Sequence, residues 1–140
     1  MICNDNICLH HILLLVLLFI VVYGYVIKEI FKKDILEGKF ADCEGCDYWA
    51  FTHFTLYVIL SYNFPSYYVL LFLIGVGYEY LEYYIGATEN SLKFLGPMGS
   101  DGTQSWWYGR FSDVIFNTSG IILGTYLSPY EIKSNKYIIF

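Results

Sequence analysis

The sequence predicts an all-α, polytopic membrane protein, a bundle of four transmembrane helices, and three observations carry that prediction. The chain of 140 residues is 56% hydrophobic and 21% aromatic with only 15% charged residues, far from the balance of a soluble domain. The apolar residues gather in four blocks, at about 8–27, 48–64, 66–86 and 110–130, each near the roughly 20 residues that cross a hydrocarbon core of about 30 Å. Within the last two blocks the polar residues recur at helical spacing, each set on one stripe. The expected organisation is a single membrane domain, 1–140, with the first helix set beside a core of 47–124 and polar connectors at 28–47 and 87–109.

The first block has no charged residue between Leu9 and Ile27 apart from the titratable His10 and His11, which suit a helix entrance at an interface. A cleaved signal peptide competes with this reading. The N-terminal stretch has no Lys or Arg, and no small-x-small cleavage site precedes the charged 28–33 segment, so a retained helix is expected. The first connector has mixed charge, with Gly38 and Gly45 as breakers. Cys3, Cys8, Cys43 and Cys46 are too few and too clustered for a disulfide framework. Cys43-Glu44-Gly45-Cys46 has the spacing of half a zinc site or of a redox pair, but no second such pair accompanies it, and plain loop thiols are expected.

The second block opens with Trp49, carries His53 and closes at Pro65, which sits in a tight turn where proline does least harm. At 17 residues it suits a thin or tilted crossing. The third block places Gly75, Glu79, Glu82 and Gly86 on one face. Its connector ends in Trp106-Trp107-Tyr108, an aromatic cluster suited to the headgroup layer. The fourth block places Arg110, Asp113, Asn117, Gly120 and Gly124 on one stripe. An ionisable pair and an amide on a membrane-grade helix mark a functional site, because a charge at bilayer depth costs roughly 2.5–3.5 kcal/mol. Gly120 and Gly124 are spaced for close helix packing. Tyr137-Ile138-Ile139-Phe140 is too short to span.

Six of the eight basic residues lie in the two long connectors or at their edge: Lys28, Lys32, Lys33, Lys39, Lys93 and Arg110. By the positive-inside tendency those connectors face the cytoplasm and both termini lie opposite. The net charge of −5 and the lack of a Lys/Arg-rich cluster exclude nucleic acid as a partner. Membrane lipid, a lipid-linked substrate and a second copy of the chain are the expected partners.

Depth gathers the polar residues. His53 lies about five residues into the second block, Glu79 and Glu82 just before the end of the third, and Asp113 and Asn117 in the first two turns of the fourth, all within roughly 5–10 Å of one interface. Three carboxylates at one level in low dielectric must be partly protonated, paired with Arg110 or His53, or bridged by a cation. His53, Glu79, Glu82 and Asp113 would suit a divalent metal such as Mg²⁺, Mn²⁺ or Zn²⁺. The same residues could instead run acid–base chemistry, with His53 and a glutamate moving protons and Asn117 as an orienting amide. Arg110 is expected to hold an anionic headgroup.

His53-Phe54-x-x-Tyr57, then Glu79-x-x-Glu82, then Arg110-x-x-Asp113-x-x-x-Asn117-x-x-Gly120-x-x-x-Gly124 resembles the VanZ-like family of small membrane proteins. Glu82 stands where that pattern has Gln, and the 23-residue connector is longer than the pattern expects. Glu79-x-x-Glu82 followed by Phe94-Leu95-Gly96-x-x-Gly99 also looks like the YjdF-type inner-membrane family. The resemblance covers about 47–124 and implies a four-helix membrane protein; the expected site residues are His53, Glu79, Glu82, Asp113 and Asn117, with Arg110 and Tyr57 as expected substrate-binding residues. It implies no reaction. Two other classes stay open: a proton-coupled carrier, which with four helices needs a homo-oligomer, and a structural protein whose polar stripe glues helices together.

Overall fold

The structure is a computed structural model, and it describes residues 3, 7–23, 30, 35–36, 38–43, 46–86, 88, 97–98, 104–105 and 109–130. Among them the chain is helical, with α1 at Leu9–Val21, α2 at Tyr48–Asn63, a single 3₁₀ turn at Pro65–Tyr67, α3 at Tyr68–Gly86 and α4 at Phe111–Leu127. Between α3 and α4, Pro97–Met98 pairs antiparallel with Gln104–Ser105 as a two-residue ladder. Most of both connectors, the Trp106-Trp107-Tyr108 cluster and the C-terminal 131–140 lie outside the described residues.

The helices α2, α3 and α4 are shorter than their apolar blocks, and local chemistry fixes their ends. Asp47, extended at φ −110° and ψ 173°, caps α2 by accepting a hydrogen bond from the Ala50 amide at 3.0 Å. Pro65 cannot supply the amide that would continue α2, so the chain leaves the helix at Phe64, passes through the 3₁₀ turn and restarts at Tyr68. Arg110 is extended at φ −124° and ψ 147°, so α4 begins one residue later than the apolar block. Ser128, extended ahead of Pro129, ends it. With 13, 16, 19 and 17 residues, no single helix among the described residues is long and apolar enough to cross a membrane. Tyr48–Asn63 and Pro65–Ile85, bent by 114° at the break between them, reach the length and composition of a span only as a pair.

The closest packing joins α2 to α4. A Cβ at Gly120 would stand 3.1 Å from Tyr57 Cβ and press on the Phe54 carbonyl, and one at Gly124 would overlap Val58 O and Ser61 Oγ. The two glycines therefore let backbone meet backbone, as their spacing predicts. Ser61, fully buried, donates its hydroxyl to Tyr57 O at 2.6 Å and lies 3.3 Å from Gly120 O, while Ser128 Oγ donates to Tyr62 O at 2.6 Å. Contact positions rise in the same order along both helices, so α2 and α4 run parallel.

Leu60 and Tyr57 of α2, Leu71 of α3, Ile121 of α4 and Ile12 of α1 form the apolar core with Phe64. The first helix reaches it along Leu9, Ile12 and Val16, a stripe at i, i+3 and i+7. Beyond its end, Tyr23 sets its ring edge-on to Trp49 with centroids 5.1 Å apart, and its hydroxyl accepts a hydrogen bond from the Leu36 amide at 3.0 Å. The remaining faces stay apolar and open: Leu14 and Leu17 of α1, Phe51 of α2, Leu73 of α3, Ile122 and Tyr126 of α4 are all exposed.

The cysteines depart from the sequence reading. Cys3 is bonded to Cys8 and Cys43 to Cys46. Separations of five and three residues mean that each bond closes a local loop and ties no two helices together.

Candidate functional site

Three helices contribute one side-chain cluster. On α3 the buried positions are Leu71, Gly75, Glu79 and Glu82, so the helical spacing that packs the first two into the bundle carries the glutamates inward as well. On α4 the same logic buries Asp113, Asn117, Gly120, Ile121 and Gly124. On α2, His53 lies one turn before Tyr57 and keeps 19% of its side-chain surface exposed.

Glu79 is the centre. Its Oε1 lies 2.9 Å from His53 Nδ1 and accepts a hydrogen bond from Asn117 Nδ2 at 2.9 Å, so one carboxylate oxygen joins all three helices. In a neutral ring, donation from Nδ1 leaves His53 Nε2 as the acceptor. Glu82, one turn further along α3, is hydrogen-bonded to Tyr78. Asp113 lies within electrostatic reach of His53, Glu79, Asp47 and Arg110. Ligand atoms of His53, Glu79 and Glu82 all lie within 4.8 Å of one another, and Asp113, expected to join them, falls outside that group. Glu79 Oε2 and Asn117 Oδ1 are buried and have no hydrogen-bond partner among the described residues. Leaving such an atom unsatisfied costs roughly 1–3 kcal/mol.

Arg110 does not sit on the α4 stripe and does not pair with the cluster's carboxylates. Extended ahead of the helix, it turns its guanidinium to Asp47, with Nη1 2.5 Å from Oδ2. Asp47 thus holds the start of α2 with one oxygen and the entry to α4 with the other. The apolar-to-polar switch before Tyr48 signals Asp47 as a helix cap, but its second role requires the fold. Asp47→Ala is expected to lower the thermal midpoint in detergent by removing a cap worth about 1 kcal/mol together with the ion pair. Asp47→Asn keeps the capping oxygen, and circular-dichroism melts of the two variants are expected to separate the contributions.

Tyr57 does not join Arg110. It is 6% exposed, lies in the core, and packs its Oη where a side chain on Gly75 would stand. His53, Tyr57 and Ser61 recur every fourth residue, a polar stripe on α2 of which only the first two members were singled out from sequence. Gly109 was missed altogether. A Cβ there would come within 2.9 Å of Glu82 Cβ and overlap Glu79 O, so the chain entering α4 lies flush on the glutamate turn of α3.

Beside this contact a groove of about 440 Å³ opens. One wall is the α3 stripe Phe72, Val76, Glu79, Tyr80 and Tyr83. The other is the entry to α4, Gly109 to Phe111, with Val114. Among the described residues Glu79 and Arg110 are its only charged lining residues. In comparisons with known proteins, no family model, no curated protein and no solved structure matches the chain.

Proposed function

We propose that this chain is a VanZ-like multi-pass membrane protein whose His53–Glu79–Glu82 cluster holds a divalent metal ion near the membrane interface and serves an amphiphilic or lipid-linked substrate. The observation that carries the reading is the convergence of three potential ligand atoms within 4.8 Å beside a buried carboxylate oxygen, Glu79 Oε2, that lacks a partner. One imidazole and two carboxylates suit Mn²⁺ or Zn²⁺, and Mg²⁺ if water completes the shell. Exposed leucines and aromatics on every helix support the membrane reading, since contiguous apolar surface of this extent marks contact with lipid or with other protein.

Within such a site His53, Glu79 and Glu82 hold the ion, which when bound would polarise an ester or phosphoryl oxygen. Asn117 fixes the Glu79 carboxylate from α4, and Glu79 Oε1 fixes the tautomer of His53, the outer-shell orientation that metal-ligating imidazoles generally need. Asp113 is the nearby proton site, and Arg110 the cation for an anionic headgroup.

Elemental analysis with native mass spectrometry of the detergent-purified protein tests this. A stoichiometric divalent metal, lost in His53→Ala, is expected. Protein that stays metal-free after equilibration with Mn²⁺, Zn²⁺ and Mg²⁺ would overturn the reading.

A further inference from the structure

We infer that the groove between α3 and the entry to α4 binds a single-chain lipid with a phosphate headgroup, its chain lying along Phe72, Val76 and Val114 and its phosphate against Arg110. The inference names the substrate class of the proposed site and rests on that reading for what befalls the headgroup; the binding itself does not require the metal.

The groove has the composition of a ligand site rather than of a packing defect. Its volume of about 440 Å³ lies inside the roughly 300–1,000 Å³ of small-ligand pockets. Such pockets are mostly apolar with a few placed polar groups, and here those groups are one guanidinium and one carboxylate. Phe72 lies seven residues before Glu79, so the apolar wall runs about 10 Å along α3 away from the cluster. The rim is open: Tyr80 is 67% exposed and Phe111 79%. A chain can therefore enter sideways from a bilayer, whereas a wholly polar ligand would leave those walls without a counterpart.

Charge selects the headgroup. Arg110 presents five N–H donors in a planar fork, of which the Nη1 side engages Asp47. The remaining donors match phosphate oxygens, of which a phosphate monoester offers three non-bridging ones and a phosphocholine diester two. Position gives the reason for a headgroup here. Gly109, next to Arg110, touches both glutamate turns, so a phosphate on the guanidinium is brought to the edge of the His53–Glu79–Glu82 cluster.

Native mass spectrometry and tryptophan fluorescence of the full chain in detergent, titrated with hexadecyl phosphate, hexadecylphosphocholine and inorganic phosphate, test the proposal. Hexadecyl phosphate is expected to bind one per chain, at least about tenfold more tightly than the phosphocholine, the difference one charge-assisted hydrogen bond supplies. Arg110→Gln is expected to erase that preference, and Val76→Trp, which fills the groove at a half-open position, to weaken both amphiphiles while metal content stays that of the wild type. Equal affinity for the two amphiphiles, equal affinity for inorganic phosphate alone, or an unchanged titration in Val76→Trp would overturn the groove proposal. A metal-free protein that still prefers hexadecyl phosphate would overturn the reading of the cluster and leave the groove standing.

Discussion

On the proposed metal-site reading, purified Glu79→Gln protein is expected to lose at least about 100-fold in affinity for a divalent metal, more than the loss typical of removing an outer-shell partner. The side chains have the same shape, so the fold survives. The charge does not: the amide oxygen can stand at the Oε1 position and accept from both Asn117 and His53, but the NH₂ then replaces Oε2 and cannot serve as a ligand. Glu79 is 4% exposed and one of its oxygens has no partner, so removing the charge relieves a desolvated group. Metal-free Glu79→Gln is therefore expected to melt no lower than the metal-free wild type. The wild type should gain thermal stability as Mn²⁺ or Zn²⁺ is added, by the logarithmic dependence of linked binding, and the variant should give a flat titration. A variant that retains the full metal-induced shift would remove Glu79 from the metal site.

The largest loss of stability is expected from Gly124→Leu. A mere Cβ at this position already overlaps Val58 O and Ser61 Oγ and stands 3.0 Å from Tyr62 N, and two of those three atoms are helix backbone that cannot rotate away. Overpacking a core typically costs about 1–3 kcal/mol when side chains absorb the strain. Here α2 and α4 must separate, so Gly124→Ala is expected to fall at the upper end of that range and Gly124→Leu to fail to hold the bundle. Gly77 supplies the control. Nothing lies within 4 Å of a Cβ built there, so Gly77→Ala in the same set of thermal melts is expected to gain up to about 1 kcal/mol from helix propensity. Equal effects at the two positions would show that the glycine spacing has no packing role.

The polar stripes were legible because helical periodicity is a local property. Glu79 and Glu82 share a face with Gly75, and Asp113 and Asn117 with Gly120 and Gly124, whatever the rest of the chain does, and matching their depths was enough to place His53 beside them. Arg110 was misplaced for a tertiary reason. It continues the stripe by count, but the contact of Gly109 with α3 and the pull of Asp47 hold it extended ahead of the helix. Tyr57 shares the stripe of His53 and yet serves the core, because one turn deeper the facing residue is Gly75 rather than a glutamate. Helix ends were overrun because apolar runs continue past the residues that stop them, at Phe64 before Pro65 and at Ser128 before Pro129. The groove has no sequence signature at all, since it exists only where the two walls from α3 and α4 meet.

The glycine seam also decides what can move. Welded backbone to backbone, α2 and α4 form one stiff plate, whereas α3 meets α2 through the Tyr57 side chain at Gly75, touches the entry to α4 at Gly109 and follows the bent turn at Phe64–Pro65. In mechanical terms the glutamate turn of α3 carries two fastenings, the close contact with Gly109 and the Glu79 hydrogen bonds to His53 and Asn117. Drawing Glu79 away from those partners would release one of the two and leave Gly109 to hold the wall of the groove.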